Sequence, residues 1–183
     1  IYNTAVGTSA GRLVTTGIQN TLIGGLAGDA ITTASSLVAV GYGALGSNTT
    51  GAGNVAVGTN ALLDSTTGGN NTAVGNNSLS NNITGADNTV MGFEGMKAST
   101  TGADNTSVGY QSLYDNSTGS FNASFGHRAL FNNTTASNNT AVGTSALFAN
   151  TTGASNIAVG INALSSNTTA SNNTAVGAAA LAA

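Results

Sequence analysis

Asn139–Ser155 reads NTAVGTSALFANTTGAS, and the same 17-residue unit recurs from one end of the chain to the other. Its marker is the glycine of the NTAVG element, found at Gly7, Gly24, Gly41, Gly58, Gly75, Gly92, Gly109, Gly126, Gly143, Gly160 and Gly177. Every step is 17 residues, and the eleven copies carry no insertion. A fixed period of this kind is the signature of an array in which each unit stacks on the one before it. Positions are numbered 1–17 from the Asn that opens a copy, so Asn139 is position 1 and Ser155 position 17.

Each copy holds one short β-type run, N-T-A-V, and a shorter A-L run, with Gly and Asn between them. Neither is long enough for a helix-turn-helix unit. The pattern therefore predicts a coil of two short strands joined by tight corners. With no insertions, equivalent residues fall in parallel, in-register strands ~4.8 Å apart, and the whole array makes a rod on the order of 50 Å long. The expected fold is all-β, a parallel β-solenoid or β-roll of about eleven 17-residue coils. Residues 1–183 form one repeat domain. Neither end carries the polar capping coil that solenoids use for solubility, so we expect a fragment of a longer fibre.

Chemistry sorts the positions. Position 4 is always apolar and position 9 is Leu or Met from the third copy onward. These two are expected to face inward as apolar ladders, with Val142, Leu147, Val159 and Leu164 as representative core residues. Position 2, mostly Thr, shares the face of position 4. Gly143 and Gly160, at position 5, mark a corner that needs positive φ or a close backbone approach. Asn at position 1, present in every copy but the one with Leu37, can bond its counterparts above and below. Position 3, Ala or Ser in most copies, is expected to face outward and to let a neighbouring chain pack closely.

Composition points to assembly as well. Charged residues make up 5 % of the chain, against roughly 25 % in an ordinary domain, which removes the usual barrier to self-association. There are 26 Gly and no Pro, Cys or Trp, and the net charge is −3. Three cations, Arg12, Lys97 and Arg128, cannot form a nucleic-acid surface. Asn, Gly and Thr interrupt every apolar run, so none reaches the ~20 residues of a membrane span. The expected partner is another copy of the chain, with a trimer as the expected state.

At NTAVGTSAL, NTAVGNNSL, NTSVGYQSL and NIAVGINAL the chain resembles the NTAVGYQAL-type repeats of tailed-bacteriophage tail fibres. It is also similar to the shorter head repeats of trimeric autotransporter adhesins, whose N-S-x-A-I-G element forms a β-roll in a trimer. The resemblance spans essentially the whole chain. It implies a fibre shaft packed or intertwined as a trimer, located on a virion or at a cell surface. The 17-residue coil is longer than the adhesin unit. No motif of a self-cleaving chaperone domain is present.

Candidate chemistry is sparse. His127 has no nucleophile and carboxylate beside it in the pattern and reads as a solvated corner residue, so no enzyme activity is expected. Asp87 and Asp104 occupy one position in successive coils, too few acids for a hard-cation cage; no metal and no cofactor are expected. Gly24, Gly25 and Gly28 fall on repeat positions, with no helix after them to complete a phosphate loop. Sequons such as Asn48, Asn116, Asn150 and Asn167 follow from N-T-T turns. The sharpest departure from the consensus is position 10, where Tyr114, Phe131 and Phe148 stand in consecutive copies. They are expected to form an aromatic ladder, which either packs between chains, thickens the local core, or stays open as a stacking surface for a host cell-surface glycan.

The leading functional expectation is the structural shaft of a phage tail fibre or similar adhesive appendage, contributing to host attachment. A self-polymerising extracellular filament is the alternative. Ice binding through the Thr files of positions 13 and 14 is a third, weakened because only one file of an extended segment can face outward.

Overall fold

The computed structural model describes residues 2–182; Ile1 and Ala183 lie outside that range. The protein is an all-β parallel solenoid. Eleven three-residue strands follow in order: β1 (Thr4–Val6), β2 (Thr21–Ile23), β3 (Val38–Val40), β4 (Val55–Val57), β5 (Thr72–Val74), β6 (Thr89–Met91), β7 (Thr106–Val108), β8 (Ala123–Phe125), β9 (Thr140–Val142), β10 (Ile157–Val159) and β11 (Thr174–Val176). They form a single sheet in sequence order. Each strand pairs in parallel with the next at a register of one repeat, as in Thr140↔Ile157, Ala141↔Ala158 and Val142↔Val159.

Outside the strands the coil is turn, yet its hydrogen bonding continues around the circumference. In Asn139–Ser155, the N–H groups of Thr140, Leu147, Ala149 and Thr151 donate forward to Asn156, Ala163, Ser165 and Thr168 at 2.8–3.0 Å. Those of Gly143, Ser145 and Ser155 donate back to Phe125, His127 and Ser137 at 2.8–3.2 Å. Only the N–H groups of Ala146 and Asn150 bond within the coil, to Gly143 and Leu147. The backbone is thus satisfied mainly by the neighbouring coils, which is why the array tolerates such short strands.

There is one strand per coil, where the sequence pattern predicted two. The A-L run is a turn, and its Leu sits in the left-handed region: Leu147 at φ 51 and Leu164 at φ 50. That conformation costs roughly 1–2 kcal/mol for a residue with a Cβ. It is offset by complete burial of the side chain and by the Leu147 N–H bond to Ala163.

The strand also faces the opposite way from expectation. Position 3 points inward: Ala39, Ala56, Ala73, Val90, Ser107, Ser124, Ala141 and Ala158 are fully buried. Position 4 points outward: Val142 is 39 % exposed and Val159 is half-buried, so neither is a core residue. The reason is the narrowness of the coil. The strand lies directly across from the buried Leu of position 9 and Ala of position 8, and only a small side chain fits between. In two coils the opposing residue shrinks and position 3 grows. Gly28 at position 9 faces Leu22, whose Cδ2 would stand 2.9 Å from an added Cβ, and Gly95 at position 8 faces Val90 at 2.8 Å. Leu147 and Leu164 do lie in the core, at 0 % and 4 % exposure.

Gly143 and Gly160 turn the chain at the end of each strand. Gly143 has φ +129, and a Cβ there would meet the carbonyl carbon and oxygen of Gly160 at 2.7 Å. Both conformation and space demand glycine.

Two Asn files also line the interior. At position 1 the Asn Oδ1 accepts the backbone N–H of the next Asn, as from Asn156 to Asn139 at 2.9 Å. At position 12 the amides bond one another directly, Asn133 Nδ2 to Asn116 Oδ1 at 2.9 Å and Asn150 Nδ2 to Asn133 Oδ1 at 3.0 Å. Both files meet at position 15, where the Gly119 carbonyl accepts from Asn105 Nδ2 and Asn116 Nδ2 at 2.9 Å each. The sequon residues Asn48, Asn116 and Asn150 are accordingly fully buried structural amides.

Candidate functional site

On the outer side of the turns, position 6 is mostly exposed and positions 7 and 10 are mostly half-buried. Because successive coils are in register, any residue type repeated at one position becomes a file along the rod. In coils six to nine these files carry runs of aromatic and charged side chains.

Tyr114, Phe131 and Phe148 form the expected aromatic ladder. Their centroids are 5.1 and 5.4 Å apart, with interplanar angles of 5° and 13°. A second file stands beside it at position 6: Phe93, Tyr110 and His127, with centroid spacings of 5.4 and 5.2 Å and angles of 7° and 8°. His127 is exposed as expected, but it is the last member of a ring stack rather than an isolated corner. The sequence signal was present in three consecutive ring-bearing residues at position 6.

A polar file at position 7 runs between the two stacks. Gln111 Nε2 donates to Glu94 Oε2 at 2.9 Å, and Arg128 Nε donates to Gln111 Oε1 at 3.1 Å. Lys97 closes one end, with Nζ 2.7 Å from Glu94 Oε1 and 6.0 Å from the Tyr114 ring centroid. The bonds from Lys97 and Gln111 hold the Glu94 carboxyl below its ordinary range, and the Glu94 bond raises Lys97. Burial lifts the Asp115 carboxyl, next to Tyr114, above its usual range. At the other end the Arg128 guanidinium lies 5.3 Å over Phe131.

Arg128 differs from the other two cations. Arg12 pairs with Asp29 at 3.2 Å and Lys97 with Glu94, whereas Arg128 is the one Lys or Arg among the described residues with no carboxylate in salt-bridge range. Beyond it the outer face falls away into an open groove of about 750 Å³ lined by His127, Arg128, Thr144, Ser145, Phe148, Asn162 and Ser165.

The other candidates resolve into structure. Asp87 and Asp104 sit at position 17 with φ 58 and 56, a left-handed site that short polar side chains tolerate. Asn70 Nδ2 donates to Asp87 at 3.2 Å. No group of three or more His, Cys, Asp or Glu side chains able to hold a metal occurs among the described residues. Position 13 hydroxyls bond the carbonyl of the next coil, as Thr134 does to Thr151 at 3.1 Å. Position 14 is exposed throughout.

No family model, curated protein or solved structure matches the chain.

Proposed function

We propose that the chain is a shaft segment of an adhesive fibre, a phage tail fibre or similar appendage on a virion or cell surface, acting mechanically rather than as an enzyme and associating laterally as a homotrimer. The observation that carries this reading is the outward file at position 4. From Val6 and Ile23 to Val142 and Val176 it is apolar in every coil, and Met91 and Phe125 are exposed within it. Such a patch on a chain with 5 % charged residues is what a lateral interface offers before its partner is in place. The contact face expected at position 3 is replaced by this one.

Sedimentation of the purified chain, together with electron microscopy, tests the proposal. Discrete trimeric rods are expected. A variant carrying Val108→Lys, Phe125→Lys and Val142→Lys should yield monomers that keep the β spectrum of the parent, because these side chains lie outside the core. A monomeric parent chain overturns the lateral interface. Open-ended head-to-tail growth favours the extracellular filament instead. Ice binding is disfavoured because the position 13 hydroxyls are consumed between coils, leaving one hydroxyl file; a clear thermal-hysteresis gap would reverse that judgement.

A further inference from the structure

We infer that the groove at coils nine and ten is a binding site for an acidic oligosaccharide of uronate-type pyranoses, one ring stacking on Phe148 and the carboxylate of a neighbouring unit pairing with Arg128. This deepens the adhesive half of the proposed function and is independent of its assembly half.

Both ring stacks stop at this groove. Each ring in Tyr114–Phe131–Phe148 covers the face of the one before it at 5.1–5.4 Å, nearly parallel. At the next register, position 10 is Ser165, which cannot cover a ring face. Phe148 therefore ends the stack with one face turned to the groove it lines. The neighbouring stack ends one coil earlier, since His127 is followed at position 6 by Thr144, and His127 lines the same groove. The groove is the space that a further ring in each file would have occupied. A pyranose chair, which presents a face of axial C–H groups, fits that space and continues the stack on the aromatic face.

The charge selects the sugar. Arg128 is held on two sides, by the Nε bond to Gln111 and by the Phe131 ring. Its terminal nitrogens have no hydrogen-bond partner among the described residues, and it lines the groove. A guanidinium fixed in this way presents a fork suited to a planar carboxylate. The polar neighbours Ser145, Asn162 and Ser165 supply donors and acceptors for ring hydroxyls. An apolar ring face, one oriented cation and a rim of small hydroxyl and amide groups describe an acidic saccharide better than a neutral one.

The probe is trigalacturonate, with maltotriose as the neutral control, titrated calorimetrically into the assembled protein at millimolar concentrations. Saturable binding of trigalacturonate is expected, at least about tenfold tighter than maltotriose. Arg128→Gln should remove that preference while leaving the weak neutral binding in place. Ser165→Phe extends the ring stack into the groove without touching the core, and should abolish binding of both sugars while the rod keeps its melting temperature and oligomeric state. Absence of saturable trigalacturonate binding overturns the inference. So does binding that survives Ser165→Phe, or a preference that survives Arg128→Gln. Loss of the trimer with sugar binding intact would instead count against the lateral interface alone.

Discussion

Ala141 and Val142 are neighbours on one strand, and their roles are the reverse of what hydrophobicity suggests. The larger side chain faces out and the smaller one faces in, because the interior leaves room for a methyl group and little more. Ala141→Leu should therefore destabilise the rod by about 1–3 kcal/mol through overpacking. Val142→Thr, on the outer face, should change the stability of the isolated fold by less than about 0.5 kcal/mol. Denaturant unfolding of the two variants checks the pair, and equal effects would contradict the strand's orientation. The alternation of the strand was legible in the sequence, but not its phase, because position 4 carries the apolar residues that usually mark a core. The phase was encoded elsewhere. Leu22 is the one Leu at position 3 and shares a coil with Gly28, while Val90 shares one with Gly95. In both coils the residues that trade volume are in contact.

At the scale of the coil, the sequence displayed the period, the glycine corner and the position 1 Asn file. The second Asn file was hidden by its resemblance to turn chemistry, since N-T-T is a turn whether or not its Asn is interior. That file also has gaps. Ser65 and Ser99 replace Asn at position 12, and Ser65 Oγ, Asn82 Oδ1 and Ser99 Oγ are buried without hydrogen-bond partners. Serine is too short to span from one coil to the next. Ser99→Asn places an amide between Asn82 and Asn116, where its Nδ2 can donate to Asn82 Oδ1 and its Oδ1 can accept from Asn116 Nδ2. Restoring the ladder should stabilise the rod by about 1 kcal/mol, read as a rise in melting temperature. A fall would mean that this segment has been repacked around the smaller residue. The aromatic files were half legible on the same grounds. Position 10 stood out by its three successive large rings, whereas at position 6 bulky side chains such as Tyr42 and Ile161 also occur elsewhere and masked the run of three.

For the molecule as a whole, what matters is that every coil touches only its two neighbours. Stability is then close to a sum of coil terms and coil–coil terms along one dimension, and the same substitution has different consequences in the middle and at the end. Position 5 provides the comparison. Gly109 has φ +136, and a Cβ there would lie 2.4 Å from the carbonyl oxygen of Gly126 in the next coil. Gly177 has φ +130, but its nearest contact is the Ala180 Cβ at 3.9 Å. Gly177→Ala therefore meets only the backbone penalty of a positive-φ position, roughly 1–3 kcal/mol, and fraying of one terminal coil relieves it. Gly109→Ala adds a clash with the backbone of the following coil and cannot be relieved at an end. It should break the cooperative unit between coils seven and eight, leaving two shorter arrays that exchange amide hydrogens and unfold separately. Hydrogen exchange resolved by segment distinguishes the outcomes. The expected pattern for Gly109→Ala is a loss of protection centred on β7 and β8 with a broadened or two-step unfolding transition, while Gly177→Ala loses protection only around β11. A single sharp transition for both variants, with protection lost evenly along the rod, would show that the coils are coupled over longer range than nearest-neighbour contacts allow.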